Sequence, residues 1–322
     1  MEYVSLGRTG LKVSRIGLGC MTFGSPEWAS WVLDADASAP IIEAAVERGI
    51  NLFDTADMYS RGVSEEILRD RLMPLQPRHK LVIATKLYNP MSDDPNDRGL
   101  SRKHVFDSVE GSLRRLGTDH IDLLQLHRFD YETPLEETLE ALNDVVRSGK
   151  VRYLGASSMF AWQFMKALGL QRANGWARFV SMQPHYNLIY REEEREMLPL
   201  CISEGVGVLP WSPLARGMLA GKHSSVRSDT DGQLERLYGD SREADGRIAD
   251  AVKVVAGERG VSMAAVAYAW VMNQPGITAP LVGISRPELL DDVMSALEIK
   301  LSDDELELLE KPYRPKPVAG HS

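Results

Sequence analysis

Cysteine is nearly absent: Cys20 and Cys201 are the only two in 322 residues. They make no metal-ligand spacing and cannot form a disulfide framework, so a reducing compartment, the cytoplasm, is the expected location. No apolar run approaches the roughly 18 residues that a membrane span requires. The opening MEYVSLGRTG has no basic region followed by an apolar one, so no secretory leader is expected. Basic charge is also short, with 37 Lys and Arg against 46 Asp and Glu for a formal net charge of -9. That balance argues against a nucleic-acid surface, although a small anion needs only a local basic group. The seven histidines show no paired ligand spacing, so no metal site is expected.

What is present is a repeated alternation. Short runs rich in Val, Ile and Leu fall at 16–20, 51–54, 81–85, 121–126, 151–156, 179–183, 206–211 and 278–283. Continuous apolar runs of this length suit strands buried on both faces. Amphipathic segments lie between them, the clearest opened by Thr133-Pro134-Leu135-Glu136. There a capping residue, a first-turn Pro and a Glu three after the cap precede Leu139, Leu142 and Val146, and Gly149 supplies the stop. Eight strand–helix units in alternation predict an α/β fold of the (β/α)8 TIM-barrel type, because every parallel crossover needs its own helix. A doubly wound open sheet is the competing architecture. Tyr3 to Val13 reads as a short N-terminal β-hairpin, placed to plug the barrel floor. The whole of 1–322 reads as one barrel domain. Between 206 and 278 lie two helical patterns and a polar stretch, 221–245, within a rim loop expected at 213–245.

In such a barrel the active site is built at the C-terminal ends of the strands. Asp54, Lys86 and His127 follow strands two, three and four, and Tyr59 lies in the loop after Asp54. Each alone has a structural explanation, but together they suit proton delivery. A tyrosine is a reluctant acid, with an unperturbed pKa of about 10. An adjacent ammonium is expected to lower that value, a carboxylate to hold the ammonium, and a histidine to orient a carbonyl. Such a group protonates an oxygen while hydride arrives at carbon, which is carbonyl reduction.

Two motifs fall short. Gly17-Leu18-Gly19-Cys20-Met21-Thr22 has Thr22 where a dinucleotide fingerprint needs glycine, though its turn, Thr22 included, is compatible with close contact to a cofactor. Gly155-Ala156-Ser157-Ser158-Met159 has Met159 where a nucleophile elbow needs glycine.

The segments NLFDTADMY, VIATK, IDLLQLHR, GASS, SMQPHYN, PWSPLARGML and LVGISRPE, in this order and spacing, resemble the aldo-keto reductases from Gly7 to about Leu297. The resemblance is closest to the bacterial aryl-alcohol-dehydrogenase-like branch, whose members tend to end in a Pro-rich tail like KPYRPKPVAGHS. It implies a barrel that binds NADPH, NADP being preferred over NAD, and a catalytic tetrad of Asp54, Tyr59, Lys86 and His127. It also implies that Ser157, Ser158 and Gln183 meet the nicotinamide carboxamide and that Trp211 stacks on the ring. Ser158 stands where the family usually has Asn, and Trp211 where it commonly has Tyr. Ser212, Leu214, Arg216 and Gly217 match the loop over the pyrophosphate. Gly283, Ser285 and Arg286 match the adenosine end, with Arg286 placed to pair with a 2'-phosphate; Leu289 replaces the usual Gln there.

Trp28, Trp31, Met58, Tyr88, Arg128 and Phe129 are the candidates for the substrate mouth, and they suit an aromatic or bulky small-molecule carbonyl. The two tryptophans serve equally well to pack their own loop. The expected activity is NADPH-dependent reduction of aldehydes or ketones. The alternatives are a cofactor-binding redox sensor with vestigial chemistry and an isomerase or lyase of phosphorylated sugars.

Overall fold

The computed structural model describes residues 1–221, 232–239 and 242–321. Strands β1 (Tyr3–Ser5) and β2 (Lys12–Ser14) form the expected antiparallel hairpin, with Val4 opposite Val13. The barrel strands are β3 (Gly17–Gly19), β4 (Leu52–Asp54), β5 (Val82–Leu87), β6 (Ile121–Leu126), β7 (Val151–Ser157), β8 (Phe179–Gln183), β9 (Gly207–Val208) and β10 (Leu281–Gly283). From β3 to β9 each pairs in parallel with the next, and β10 pairs in parallel with β3. Parallel bridges Val208–Ile277 and Trp211–Leu281 join the β9 side to the β10 side, so the sheet closes on itself. This is a (β/α)8 barrel.

Helices α1 (Ala35–Glu47), α2 (Val63–Ile67), α3 (Arg102–Leu116), α4 (Leu135–Arg147), α5 (Ala161–Asn174) and α6 (Met197–Glu204) alternate with the strands. After β9 come α7 (Gly232–Tyr238), α8 (Arg242–Arg259) and α9 (Met263–Asn273); α10 (Leu289–Ala296) and α11 (Asp303–Glu310) follow β10. The polar stretch expected as rim loop is therefore helical over much of its described part. Residues 222–231 and 240–241 of that stretch lie outside the described residues. One capping expectation is corrected as well. Thr133 does not cap α4; its hydroxyl donates to Asp130 Oδ2 at 2.7 Å, and Pro134 stands at the cap.

Strand alternation sorts the side chains into two cores. Phe53, Ile83, Leu124 and Leu126 point outward into the layer between strands and helices. Leu52, Val82, Ala84 and Leu123 point inward and pack with Leu6 and Val13 of the hairpin, which closes the floor. The period of two then carries β5 from Val82 and Ala84 to Lys86, and β6 from Leu123 to Gln125. The barrel interior is apolar at its base and polar at its mouth.

Candidate active site

Asp54, Lys86 and Gln125 rise from the inner faces of β4, β5 and β6, and Tyr59 comes back over them from the loop after β4. Asp54 lies opposite Ala84 in the ladder, and Lys86 lies opposite Gln125, one inward position higher. The long lysine side chain spans that step. Its ammonium donates to Asp54 Oδ1 at 2.5 Å, to the Thr55 carbonyl at 2.8 Å and to the Tyr59 hydroxyl at 3.3 Å. It also lies 4.9 Å from the centre of the Tyr59 ring. Lys86 has no solvent exposure. All three donor directions of the ammonium are used, which is what a buried charge requires.

The other oxygen of Asp54 is held by two amides. Gln125 donates to Oδ2 at 2.8 Å and Gln183 at 2.9 Å, and Gln183 also donates to Gln125 Oε1 at 3.2 Å. Gly155 makes room for this arrangement: a Cβ there would lie 2.2 Å from Ser181 Oγ and 3.0 Å from Gln125 Cγ. His127 stands edge-on to Tyr59, with ring centres 5.8 Å apart. Its Nδ1 is 3.1 Å from the Asn89 amide nitrogen.

Electrostatics corrects one expectation. Burial pushes the Tyr59 phenol above its ordinary value of 10, and Asp54 adds to that; Lys86, with Arg128, only pulls part of the way back. The phenol is thus fully protonated at neutral pH, the form an acid needs before it acts. Burial works to lower the Lys86 ammonium, but Asp54 and Tyr59 together outweigh it and leave the ammonium more basic than usual. Burial first, then Arg128 and Lys86, holds His127 well below the ordinary imidazole value. His127 is therefore a neutral hydrogen-bonding group.

The remaining candidates line the rim. Thr22 donates to the Ile284 carbonyl at 3.3 Å and ties the loop after β3 to that after β10. Ser157 Oγ donates to the Gln183 carbonyl at 2.8 Å, and Ser158, at φ +42°, accepts from the Trp211 indole at 3.0 Å. Trp211 stacks on His185 at 4.2 Å, and His185 stacks in turn on Tyr190 at 4.3 Å. Asn187 donates to the Ser212 carbonyl at 3.0 Å and to the Tyr238 hydroxyl at 3.1 Å. Ser212, Ala215, Arg216 and Gly217 all have positive φ, whereas Leu214 has φ -98°. The turn is closed internally, with the Ala215 amide donating to the Ser212 carbonyl at 2.9 Å and the Gly217 amide to the Leu214 carbonyl at 2.9 Å. Gly283 ends β10 and Ser285 and Arg286 follow it, all three exposed.

Trp28 and Trp31 meet edge to face at 6.0 Å. Their loop is pinned beside Tyr59 by the Ser25 amide, which donates to Ser60 Oγ at 3.1 Å. Met58 immediately precedes Tyr59. Tyr88 adopts φ +139°, and Arg128 donates to the His127 carbonyl at 2.5 Å. Burial lowers the Arg128 guanidinium, and Arg236 adds to that. Phe129 packs against Tyr131 at 5.0 Å and Trp162 at 6.4 Å, on the outer rim. The structure also brings in residues that the sequence reading missed: Gln125, Asn89, His185, Asn187 and Tyr238. Gln125 carried a local signal as an amide at an inward position of an apolar strand, and His185 and Asn187 lie within the SMQPHYN segment. Among the described residues no cluster of His, Cys, Asp and Glu suits a metal ion.

The fold and site define a (β/α)8-barrel protein with a buried Lys–Asp pair beneath a tyrosine at its mouth. Residues 15–314 match the family model described as the aldo/keto reductase family, and the chain belongs to that family. It is 46% identical to versiconal hemiacetal acetate reductase of Aspergillus parasiticus over 99% of this chain and 98% of the relative. It is 44% identical to a protein of Schizosaccharomyces pombe named as an aryl-alcohol dehydrogenase, over 99% of this chain and 97% of the relative. It is also 44% identical to aldo-keto reductase AMT2 of Alternaria alternata, over 99% and 94%. The protein is an NAD(P)H-dependent oxidoreductase. Its donor set fits a nicotinamide dinucleotide: an indole face, a tight turn carrying Arg216, and an exposed Ser-Arg pair at the far end. Among the described residues no helix is long and apolar enough to cross a membrane.

Proposed function

We propose that the protein reduces aldehydes or ketones with NADPH and that Tyr59 is the acid. The observation that supports this most is the fully buried Lys86 ammonium, 2.5 Å from Asp54 and 3.3 Å from the Tyr59 hydroxyl. Bound NADPH supplies hydride to the carbonyl carbon. As the carbonyl oxygen gains charge, Tyr59 gives it the phenolic proton, and the phenolate left behind is stabilised by Lys86. Asp54, clamped by Gln125 and Gln183, keeps the ammonium in place. Neutral His127 orients the carbonyl by hydrogen bonding. Ser158, Trp211, the Ser212–Gly217 run and Ser285 are the groups assigned to hold the cofactor, and Arg286 is assigned to a 2'-phosphate. Ser157 and Gln183 are assigned to the nicotinamide carboxamide; Ser157 Oγ donates to the Gln183 carbonyl and Gln183 Nε2 to Asp54, which fixes both side chains at the mouth.

The substrate class we assign is aromatic carbonyls, matched by the Trp28, Trp31 and Tyr88 rims and by relatives named as aryl-alcohol dehydrogenases. We place the chain in that branch; the relatives named above are fungal, and the bacterial placement rests on motif resemblance alone. Two free, buried thiols fit the cytoplasm. Tyr59→Phe tests the reading. Turnover of benzaldehyde is expected to fall about 100- to 10,000-fold, the worth of a positioned acid. Quenching of tryptophan fluorescence by NADPH is expected to persist. Undiminished turnover would remove Tyr59 from the role.

A further inference from the structure

His127 and Asn89 meet because of strand register. Leu87 and Leu126 are the last paired residues of β5 and β6, and the ladder is extended by the His127 amide donating to the Leu87 carbonyl at 3.0 Å. The chain then diverges from the β6 side at Tyr88, whose φ of +139° is a conformation that a side chain of this size rarely adopts. The Tyr88 carbonyl is fixed by the Gly99 amide at 2.7 Å. This turn brings Asn89 back over the imidazole, with its amide nitrogen 3.1 Å from Nδ1.

An amide nitrogen only donates, so Nδ1 accepts. A neutral imidazole carries one proton, which then resides on Nε2. The charged groups near the ring, Lys86 and Arg128, are both cations and disfavour a second proton. A carboxylate in the place of Asn89 would select the other tautomer of the neutral ring. It would accept from Nδ1–H and leave Nε2 as an acceptor, unable to donate to a carbonyl oxygen.

We infer that Asn89 is a positioning residue that fixes His127 as the Nε2–H tautomer, so that the ring presents a donor to the substrate oxygen. The consequence for turnover rests on the role proposed above for His127; the tautomer itself does not. The test compares Asn89→Asp with Asn89→Ala in the full-length protein. Histidine labelled with 15N reports directly which ring nitrogen carries the proton. The parent should show a protonated Nε2 for the resonance that disappears in His127→Gln. Asn89→Asp, nearly identical in shape, should reverse the tautomer and lower kcat/KM for benzaldehyde by about 100-fold. Asn89→Ala should lose the restraint without reversal and fall less than the Asp variant.

A purely structural contact predicts the other order, with Ala worse than its isosteric neighbour, and that result would overturn the inference. So would a parent protein with the proton on Nδ1. A reversed tautomer in Asn89→Asp with unchanged kcat/KM would leave Asn89 as the tautomer lock and remove His127 from the reaction. The two readings therefore fail separately.

Discussion

Asp57, three residues beyond Asp54, is fully buried and accepts a hydrogen bond from Ser108 at 2.9 Å through Oδ2. Burial first, then Glu65, raises its carboxyl from 3.8 to about 7, while Ser108 and Arg115 pull the other way. The folded protein thus holds this proton more tightly than the unfolded chain does. Its contribution to stability is present in acid and is lost as pH climbs from the unfolded value through the folded one. Asp57→Asn should remove that loss and be more stable than the parent at pH values above the folded one. Urea unfolding of the two proteins across the window from 3.8 to about 7 measures the difference. Parallel pH curves would show that Asp57 carries no such linkage. Tyr59 teaches the same lesson. An ammonium 3.3 Å away argues for a depressed phenol, yet the desolvation of a buried ring outweighs it.

At the scale of elements, β4 to β8 act as staves that each deliver one or two inward polar groups at the mouth. The most sensitive point is Gly155 on β7, where an added methyl would collide with Ser181 Oγ and press on the Gln125 stem. Gly155→Ala should cost about 1–3 kcal/mol of stability through overpacking. It should also reduce turnover, because displaced Gln125 frees one oxygen of Asp54. Denaturant midpoints and kcat, measured on the same preparation, check both; a destabilised protein with full kcat would separate Gln125 from the reaction. Strands were readable because apolar runs between helix signals are a local property, and all eight fell within a few residues of their expected places. The helix Gly232–Tyr238 was not readable, because its polar, charged surroundings resemble loop composition. Its folding depends on partners distant in sequence, such as Asn187 and His185, which bond Tyr238. Thr133 shows the same limit at a helix start, where Asp130 competes for its hydroxyl.

Across the whole molecule, the C-terminal tail draws separate parts of the rim together. Tyr313 donates to Glu192 at 2.5 Å, and the Lys316 amide donates to the same oxygen at 2.7 Å. Lys316 Nζ meets buried Asp245 of α8 at 2.6 Å. The Ala319 amide donates to the Tyr190 hydroxyl at 2.9 Å, and Gly320 lies against the edge of Trp211. The tail and the Trp211–His185–Tyr190 stack therefore share one aromatic layer. NADPH at 100 times its Kd should stabilise the fold by about 2.7 kcal/mol, and NADH at the same concentration by less if Arg286 reads a 2'-phosphate. Thermal melts with each nucleotide, repeated on Arg286→Ala, measure this. Equal shifts from the two nucleotides would count against Arg286 as the discriminator.

The sequence by itself determined the stave pattern, the hairpin floor and the placing of Asp54, Lys86 and His127 at strand ends. Alternation and helix punctuation are written in neighbouring residues, and Tyr59 followed from its distance to Asp54. Only the tertiary structure decided which partners those groups take. Gln125 and Gln183 reach Asp54, Asn89 reaches His127, and Lys86 spans one step of stagger, all through registers between strands far apart in the chain. The direction of the Tyr59 shift was decided there too, because desolvation depends on everything packed around the ring and not on any residue beside it in sequence.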